Sequence, residues 1–194
     1  MAEVLLFHHA QGQTAGFLAF ADQLRRARHT VHTPDLYDGH TFASIDDGVG
    51  YAKKVGFGTI AERGKKATEG LPSGLVYAGF SLGVMPAQSL AQTRPGAKGA
   101  LLFSAAFPTE EFGKPWPEGV PLQIHMMDRD KWVLEGDLDA ARKLVSTVRE
   151  GELFLYPGER HLFADSSLPD YDPEAAAHLT QRVLAFLKKI DSKQ

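Results

Sequence analysis

The chain has 194 residues, 43% hydrophobic and 23% charged, which fits one soluble globular domain over residues 1–194. Its formal net charge of −3 comes with no basic stripe, so nucleic acid is not the expected partner; the lack of cysteine excludes a disulfide scaffold, a thiolate metal site and a cysteine nucleophile. Met1 to Ala10 has no positive n-region, and its apolar run, Val4 to Phe7, is too short for a signal peptide core or a membrane span, so a cytoplasmic protein is expected.

Val4-Leu5-Leu6-Phe7 reads as a strand covered on both faces, ending in His8-His9-Ala10-Gln11-Gly12. Thr14 is placed to cap a helix running to about Arg28, with Phe17, Phe20, Ala21 and Leu24 on one side. Val31 to Thr33 is a short strand, and Pro34 to Gly39 a loop. From Ile45 to Glu69 the pattern is helical but broken by Gly56 and Gly58, which leaves one helix or two. Leu75 to Ala78 and Lys98 to Phe103 are buried strands.

Pro108 to Pro121, with Trp116 inside it, is an ordered proline-rich loop over one end of the sheet. Leu122 to Met126 is a further strand leading into Met127-Asp128-Arg129-Asp130. Asp137 is placed to cap a helix to Arg149. Leu153 to Tyr156 is the last strand, and Asp172 with Pro173 opens the final helix, whose apolar stripe includes Leu179, Val183, Phe186 and Leu187. Strands alternating with helices imply a doubly wound, mostly parallel sheet with helices on both faces. Ligands of such sheets lie beyond the C-terminal strand ends. His8, Ser81, Ser104, Asp130 and His161 all follow expected strands.

Gly79-Phe80-Ser81-Leu82-Gly83 has the form of a nucleophile elbow, with a strand before it and a helical stretch, Val84 to Gln92, behind. A serine hydroxyl needs a base to take its proton, so it must project from a tight turn towards a histidine. Pro86 removes a hydrogen bond early in that helix and suggests an irregular first turn. In α/β-hydrolases the order is serine, acid, histidine. Here that gives Ser81, then Asp128 or Asp130, then His161; His178 falls inside the last helix.

At these residues the chain resembles the dienelactone hydrolase family of small α/β-hydrolases. The likeness runs through Pro34-Asp35-Leu36-Tyr37, the elbow, His125 to Val133, Tyr156 to Phe163 and the terminal helix. It implies Asp130 rather than Asp128 as the acid, His161 as the base, and the backbone N–H groups of Leu82 and Ala10 as oxyanion donors. The chain departs from the best-known members in three places. Ser81 replaces an elbow cysteine, His9 stands where they carry a glutamate, and Asp165 where they hold an anionic lactone with an arginine. A carboxylate there should repel an anionic substrate, so neutral esters or lactones are expected to be preferred.

His9, Gln11, Trp132 and Phe163 are the candidate pocket residues, with Phe107 and Trp116 as further aromatics in the same loops. Ser104 reads as a hydroxyl in the pocket wall. Adjacent strand residues point to opposite faces, so His8 and His9 are not expected to share a metal ion. One is expected inside the sheet and the other at its rim. The expected activity is hydrolysis of small carboxylic esters or lactones through an acyl-enzyme. It needs no cofactor or metal and no partner beyond the small-molecule substrate, neither nucleic acid nor membrane. The competing readings are a non-catalytic binding protein of the same fold and a flavodoxin-like nucleotide binder. The second lacks a phosphate-cradling glycine loop, since Gln11-Gly12-Gln13 is a weak substitute.

Overall fold

The structure, a computed structural model, describes residues 1–192. Its first strand, β1 (Glu3–Phe7), sends Val4 and Leu6 into one hydrophobic cluster and Leu5 and Phe7 into another. Burial on both sides is why the run is apolar at successive positions, and it requires helices on both faces. β2 (Thr30–His32), β3 (Val76–Phe80), β4 (Gly99–Phe103), β5 (Leu122–Met127) and β6 (Gly151–Tyr156) complete a parallel sheet in the order β2-β1-β3-β4-β5-β6.

Helices α1 (Ala15–Arg26) and α7 (Pro173–Asp191) cover the Val4 side, burying Phe17, Phe20, Leu179 and Val183. The Leu5 side is covered by α2 (Ile45–Val55), α3 (Phe57–Lys66), α4 (Val84–Thr93) and α6 (Asp137–Thr147), which contribute Ala52, Ile60, Ala87 and Leu144. A single turn, α5 (Lys131–Leu134), follows β5. This is the doubly wound arrangement that the strand–helix alternation implies. The chain leaves β1 towards β2 and returns to β3 on the other side, so a switch point opens between the C-terminal ends of β1 and β3. Among the described residues no helix is long and apolar enough to cross a membrane.

Several boundaries follow from local chemistry. The Thr14 hydroxyl accepts from the Phe17 N–H as the N-cap of α1, and the helix stops at Arg26 because Arg28 turns left-handed, φ 71°. The helical stretch after Ile45 is two helices, divided at Gly56 with φ 93°. Asp137 does not cap α6. Gly136 holds the N-cap position with φ 137°, and the Asp137 carboxylate turns instead to the Ala106 amide. That helix also ends at Thr147, short of Arg149, because Val148 is already extended on the way into β6. Asp172 caps α7 at the Ala175 N–H with Pro173 behind it, as the sequence implies.

Candidate active site

Ser81 follows β3 directly, with φ 48° in the left-handed region that non-glycine residues rarely occupy. Such strain persists only where the surroundings enforce it, and here they do. A Cβ on Gly79 would lie 2.1 Å from the Gly83 carbonyl oxygen, and one on Gly83 2.6 Å from the carbonyl oxygens of Phe7 and His8. Both glycines are therefore fixed by backbone-to-backbone contact, which folds the chain back at Ser81 and brings the elbow against the end of β1. Ser81–Gly83 form a 3₁₀ turn before α4, so the irregularity that Pro86 implies falls just ahead of that helix. The first N–H groups of such a turn have no partner within it.

Three strand-end loops meet at this rim. The Ser81 hydroxyl donates to His161 Nε2 at 2.7 Å, and His161 Nδ1–H donates to Asp130 Oδ2 at 2.5 Å. The other oxygen of Asp130 accepts from the Trp132 N–H at 3.0 Å, so capping of α5 fixes the carboxylate that faces the imidazole. Asp128 faces elsewhere: its Oδ1 accepts from the Gly158 N–H at 2.9 Å. With Arg129 N–H to Gly158 O (2.8 Å), that bond ties the loop after β5 to the one after β6. Ser104 is buried and no wall of an open pocket. Held at φ 60°, it donates its hydroxyl to the His161 carbonyl at 2.6 Å and its N–H to the His125 carbonyl at 2.8 Å.

The loop after β1 is equally determined. Both His8 and His9 are buried, so neither stands at the open rim. His8 Nδ1–H donates to the His9 carbonyl at 2.8 Å and its Nε2 accepts from the Leu36 N–H at 2.9 Å. His9 Nε2–H donates to Asp165 Oδ2 at 2.8 Å, while Nδ1 accepts from the Gln11 N–H at 3.2 Å. Every ring nitrogen of the pair is thus engaged within the chain. Burial lowers the His9 pKa, which keeps the ring neutral.

Asp165 does not face substrate. It is 4% exposed, bonded by His9, by the Thr14 hydroxyl, and by the Ser167 N–H (2.9 Å) and hydroxyl (2.7 Å). Burial alone would raise its pKa, but the bonds from His9, Thr14 and Ser167 outweigh that and hold it at about 2. Charge repulsion by an open carboxylate at this position therefore loses its basis.

Of the expected pocket residues, Trp132 stands at the site, its ring centroid 5.8 Å from that of His161. Phe163 does not: it is 1% exposed and packs on Tyr156 in the cluster beneath α1 and α7. Gln11 is buried and exchanges bonds with Phe42, Nε2–H to the Phe42 carbonyl and Phe42 N–H to the Gln11 carbonyl, both 3.0 Å. Trp116 donates its Nε1–H to the Val120 carbonyl at 2.8 Å and anchors its own loop. Phe107 is held through its backbone by Gln88. Asp137, a residue the sequence offers only as a cap, is half-buried near Asp130 and His161, and burial raises its pKa to about 6.

A parallel sheet with this order, a left-handed serine after β3 and a rim at the switch point define an α/β-hydrolase fold. Solved structures agree on that fold. A dienelactone hydrolase-like promiscuous phosphotriesterase from metagenomic libraries is 17% identical, with a TM-score of 0.76 over 98% of this chain and 87% of its own. A dienelactone hydrolase from Anabaena variabilis is 16% identical, with a TM-score of 0.70 over 97% and 86%. A cold-adapted esterase from an Arctic intertidal metagenomic library is 18% identical, at 0.65 over 93% and 82%. No curated protein matches the chain significantly. The model of the dienelactone hydrolase family matches residues 2–191, so the chain belongs to that family and is a hydrolase.

Proposed function

We propose that the protein hydrolyses small carboxylic esters or lactones with Ser81 as nucleophile, His161 as general base and Asp130 as the group that orients it. The observation that carries this reading is the unbroken hydrogen-bond chain from Ser81 Oγ through both nitrogens of His161 to Asp130. As Ser81 Oγ attacks the substrate carbonyl carbon, its proton passes to His161 Nε2, and Asp130 stabilises the imidazolium that forms. Charge collects on the former carbonyl oxygen, where the backbone N–H groups of Leu82 and Ala10 are the proposed donors. The C–O bond to the leaving alcohol then breaks, His161 gives that oxygen its proton, and the acyl group stays on Ser81. Water, deprotonated by the same nitrogen, attacks the acyl-enzyme and releases the acid. A lactone follows the same steps with the alcohol still tethered to the acyl group.

A chromogenic ester panel spanning acyl length and lactones, run beside fluorophosphonate labelling, tests the proposal. Turnover together with covalent modification at Ser81 is the expected result. A folded protein that binds these compounds yet neither turns them over nor becomes labelled would be a binding protein on a hydrolase fold.

A further inference from the structure

The adjacent histidines at the end of β1 take no part in the proposed proton chain, yet both are buried beside it with all four nitrogens engaged. The two Nδ1 bonds fall on the two peptide groups that flank Ala10. The first, between His9 and Ala10, has its carbonyl held by His8 Nδ1–H at 2.8 Å and by the Gly12 N–H at 3.0 Å. In a trans peptide the N–H points opposite to the C=O, so anchoring the His9 carbonyl sets the direction of the Ala10 N–H. The second, between Ala10 and Gln11, has its N–H held by His9 Nδ1 at 3.2 Å. Its carbonyl is packed so closely against α2 that a Cβ on Gly48 would lie 1.9 Å from the Ala10 oxygen.

We infer that His8 and His9 are a pair of positioning residues that clamp the two peptide planes around Ala10 and so aim the Ala10 N–H at the oxyanion formed on Ser81. Each ring divides its work in the same way. Nδ1 serves the Ala10 peptides, and Nε2 fastens the ring to the scaffold, at Leu36 N–H for His8 and at Asp165 for His9. The Asp165 bond puts the His9 proton on Nε2, which leaves Nδ1 free to accept; the Leu36 bond puts the His8 proton on Nδ1, which makes it a donor. The two neighbouring rings thereby present opposite chemistry to successive peptides. A dipole held rigid before charge develops stabilises a transition state without reorganising, which is what an oxyanion donor requires. This inference rests on the serine-hydrolase reading proposed above.

Side-chain length separates the two functions of each ring. Asparagine places its amide near the Nδ1 position and glutamine near the Nε2 position. His8→Asn and His9→Asn therefore retain the bond to the Ala10 peptides, whereas His8→Gln and His9→Gln retain only the tether. The readouts are kcat, KM and inhibition by a trifluoromethyl ketone, whose serine adduct carries the oxyanion, with native protein labelled by fluorophosphonate as reference. Each glutamine variant is expected to lose about 100-fold in kcat with KM little changed and ketone binding weakened in parallel; each asparagine variant should stay within about tenfold of native. A merely structural role would rank activity with melting temperature and leave the ratio of ketone to substrate affinity unchanged. If native Ser81 is labelled but glutamine equals or exceeds asparagine at both positions, or all four variants stay within about threefold, this inference falls alone. Absence of labelling and turnover in the native protein removes it together with the serine-hydrolase reading.

Discussion

Ser104 Oγ donates a 2.6 Å hydrogen bond to the backbone carbonyl of His161, across 57 residues of sequence. The imidazole is thereby held from both ends, by Asp130 at its ring and by Ser104 at its main chain. Ser104→Ala leaves a buried carbonyl without that donor, which costs about 1–3 kcal/mol. At roughly 2–4 °C per kcal/mol for a chain of this size, the melting temperature should fall by about 2–12 °C. Small displacement of His161 should also lower kcat by about tenfold, since misplacement of an ångström costs on the order of 100-fold. Thermal melts and steady-state ester kinetics measure both effects, and an unchanged kcat would mean that Ser104 supports the fold only.

The two carboxylates after β5 should separate cleanly. Asp130 is 1% exposed and bonded to His161, whereas Asp128 bonds only main chain and a neighbouring arginine at the surface. Asp130→Asn is expected to lower kcat by about 10⁴-fold by favouring the wrong histidine tautomer, and Asp128→Asn by less than about tenfold. Equal losses, measured on one ester, would reject Asp130 as the orienting group.

The fold and the meeting of Ser81, His161 and Asp130 at one rim are legible because they rest on local signals. Two-sided burial writes itself as Val4-Leu5-Leu6-Phe7, and backbone contact at an elbow writes itself as Gly79 and Gly83 around a serine. Choosing between Asp128 and Asp130 needed the family resemblance, because both follow a strand and only their neighbours across space differ. Ser104 was legible as a serine near the rim, but its bond to His161 depends on a left-handed turn and a partner far along the chain. The expectations for Asp165 and His9 fail for the same reason. Charge at a loop position says nothing of which way the side chain turns, and here Thr14, His9 and Ser167 draw the carboxylate inwards. Phe163 is expected in the pocket as one of the aromatics of the rim loops, yet its ring packs under α7 instead.

Backbone strain at the elbow gives a prediction about stability. Ser81 has φ 48°, where a Cβ costs about 1–2 kcal/mol and glycine costs nothing of the kind, although glycine gives some of this back in the unfolded chain. Ser81→Gly should therefore melt above Ser81→Ala, by roughly 1–4 °C for a net difference of about 0.5–1 kcal/mol. Both should lose at least about 10⁴-fold in turnover. A higher melting temperature for the alanine variant would show that the turn relaxes once the hydroxyl is gone.

The pH dependence of stability contains two opposed contributions. His125 lies wholly inside the sheet, between Tyr156 OH at 2.9 Å and Gln123 Oε1 at 3.3 Å, and burial pushes its pKa down to about 3. Below its ordinary 6.5 the unfolded chain takes up a proton that the folded chain refuses until about 3, so stability falls as pH drops through that window. By pH 4.5 this amounts to about 2–3 kcal/mol. Asp137 has the opposite sign. Its carboxyl is raised from 3.8 to about 6, so its contribution is full at low pH and is lost as pH rises through about 6. The native profile is therefore shallower than either group alone would make it. Urea unfolding at pH 6.5 and 4.5 should show His125→Gln losing about 2–3 kcal/mol less than native between the two values, and Asp137→Asn losing more than native. A native-minus-His125→Gln difference that does not change with pH would refute the burial argument.

Asp165 supplies the last prediction, and it concerns substrate charge. An open carboxylate at this position would discourage anionic substrates, but this one accepts from His9, Thr14 and both donors of Ser167 beside the N-terminus of α1. Its carboxylate is pressed against the first turn of α1, since a Cβ on Gly16 would lie 1.8 Å from Asp165 Oδ1. An arginine there would have to enter a closed space lined by donors and by the positive end of a helix. Asp165→Arg is thus expected to cost on the order of 4 kcal/mol or more, read as a melting temperature lower by at least about 8 °C, and not to reverse any charge preference. Asp165→Asn keeps the shape and some of the bonds, so it can be assayed as a folded protein. Specificity constants for a neutral ester and its carboxylated analogue should keep nearly the same ratio in native and Asp165→Asn protein. A change of more than about tenfold in that ratio, 1.4 kcal/mol, would mean that the buried carboxylate still acts on substrate through space.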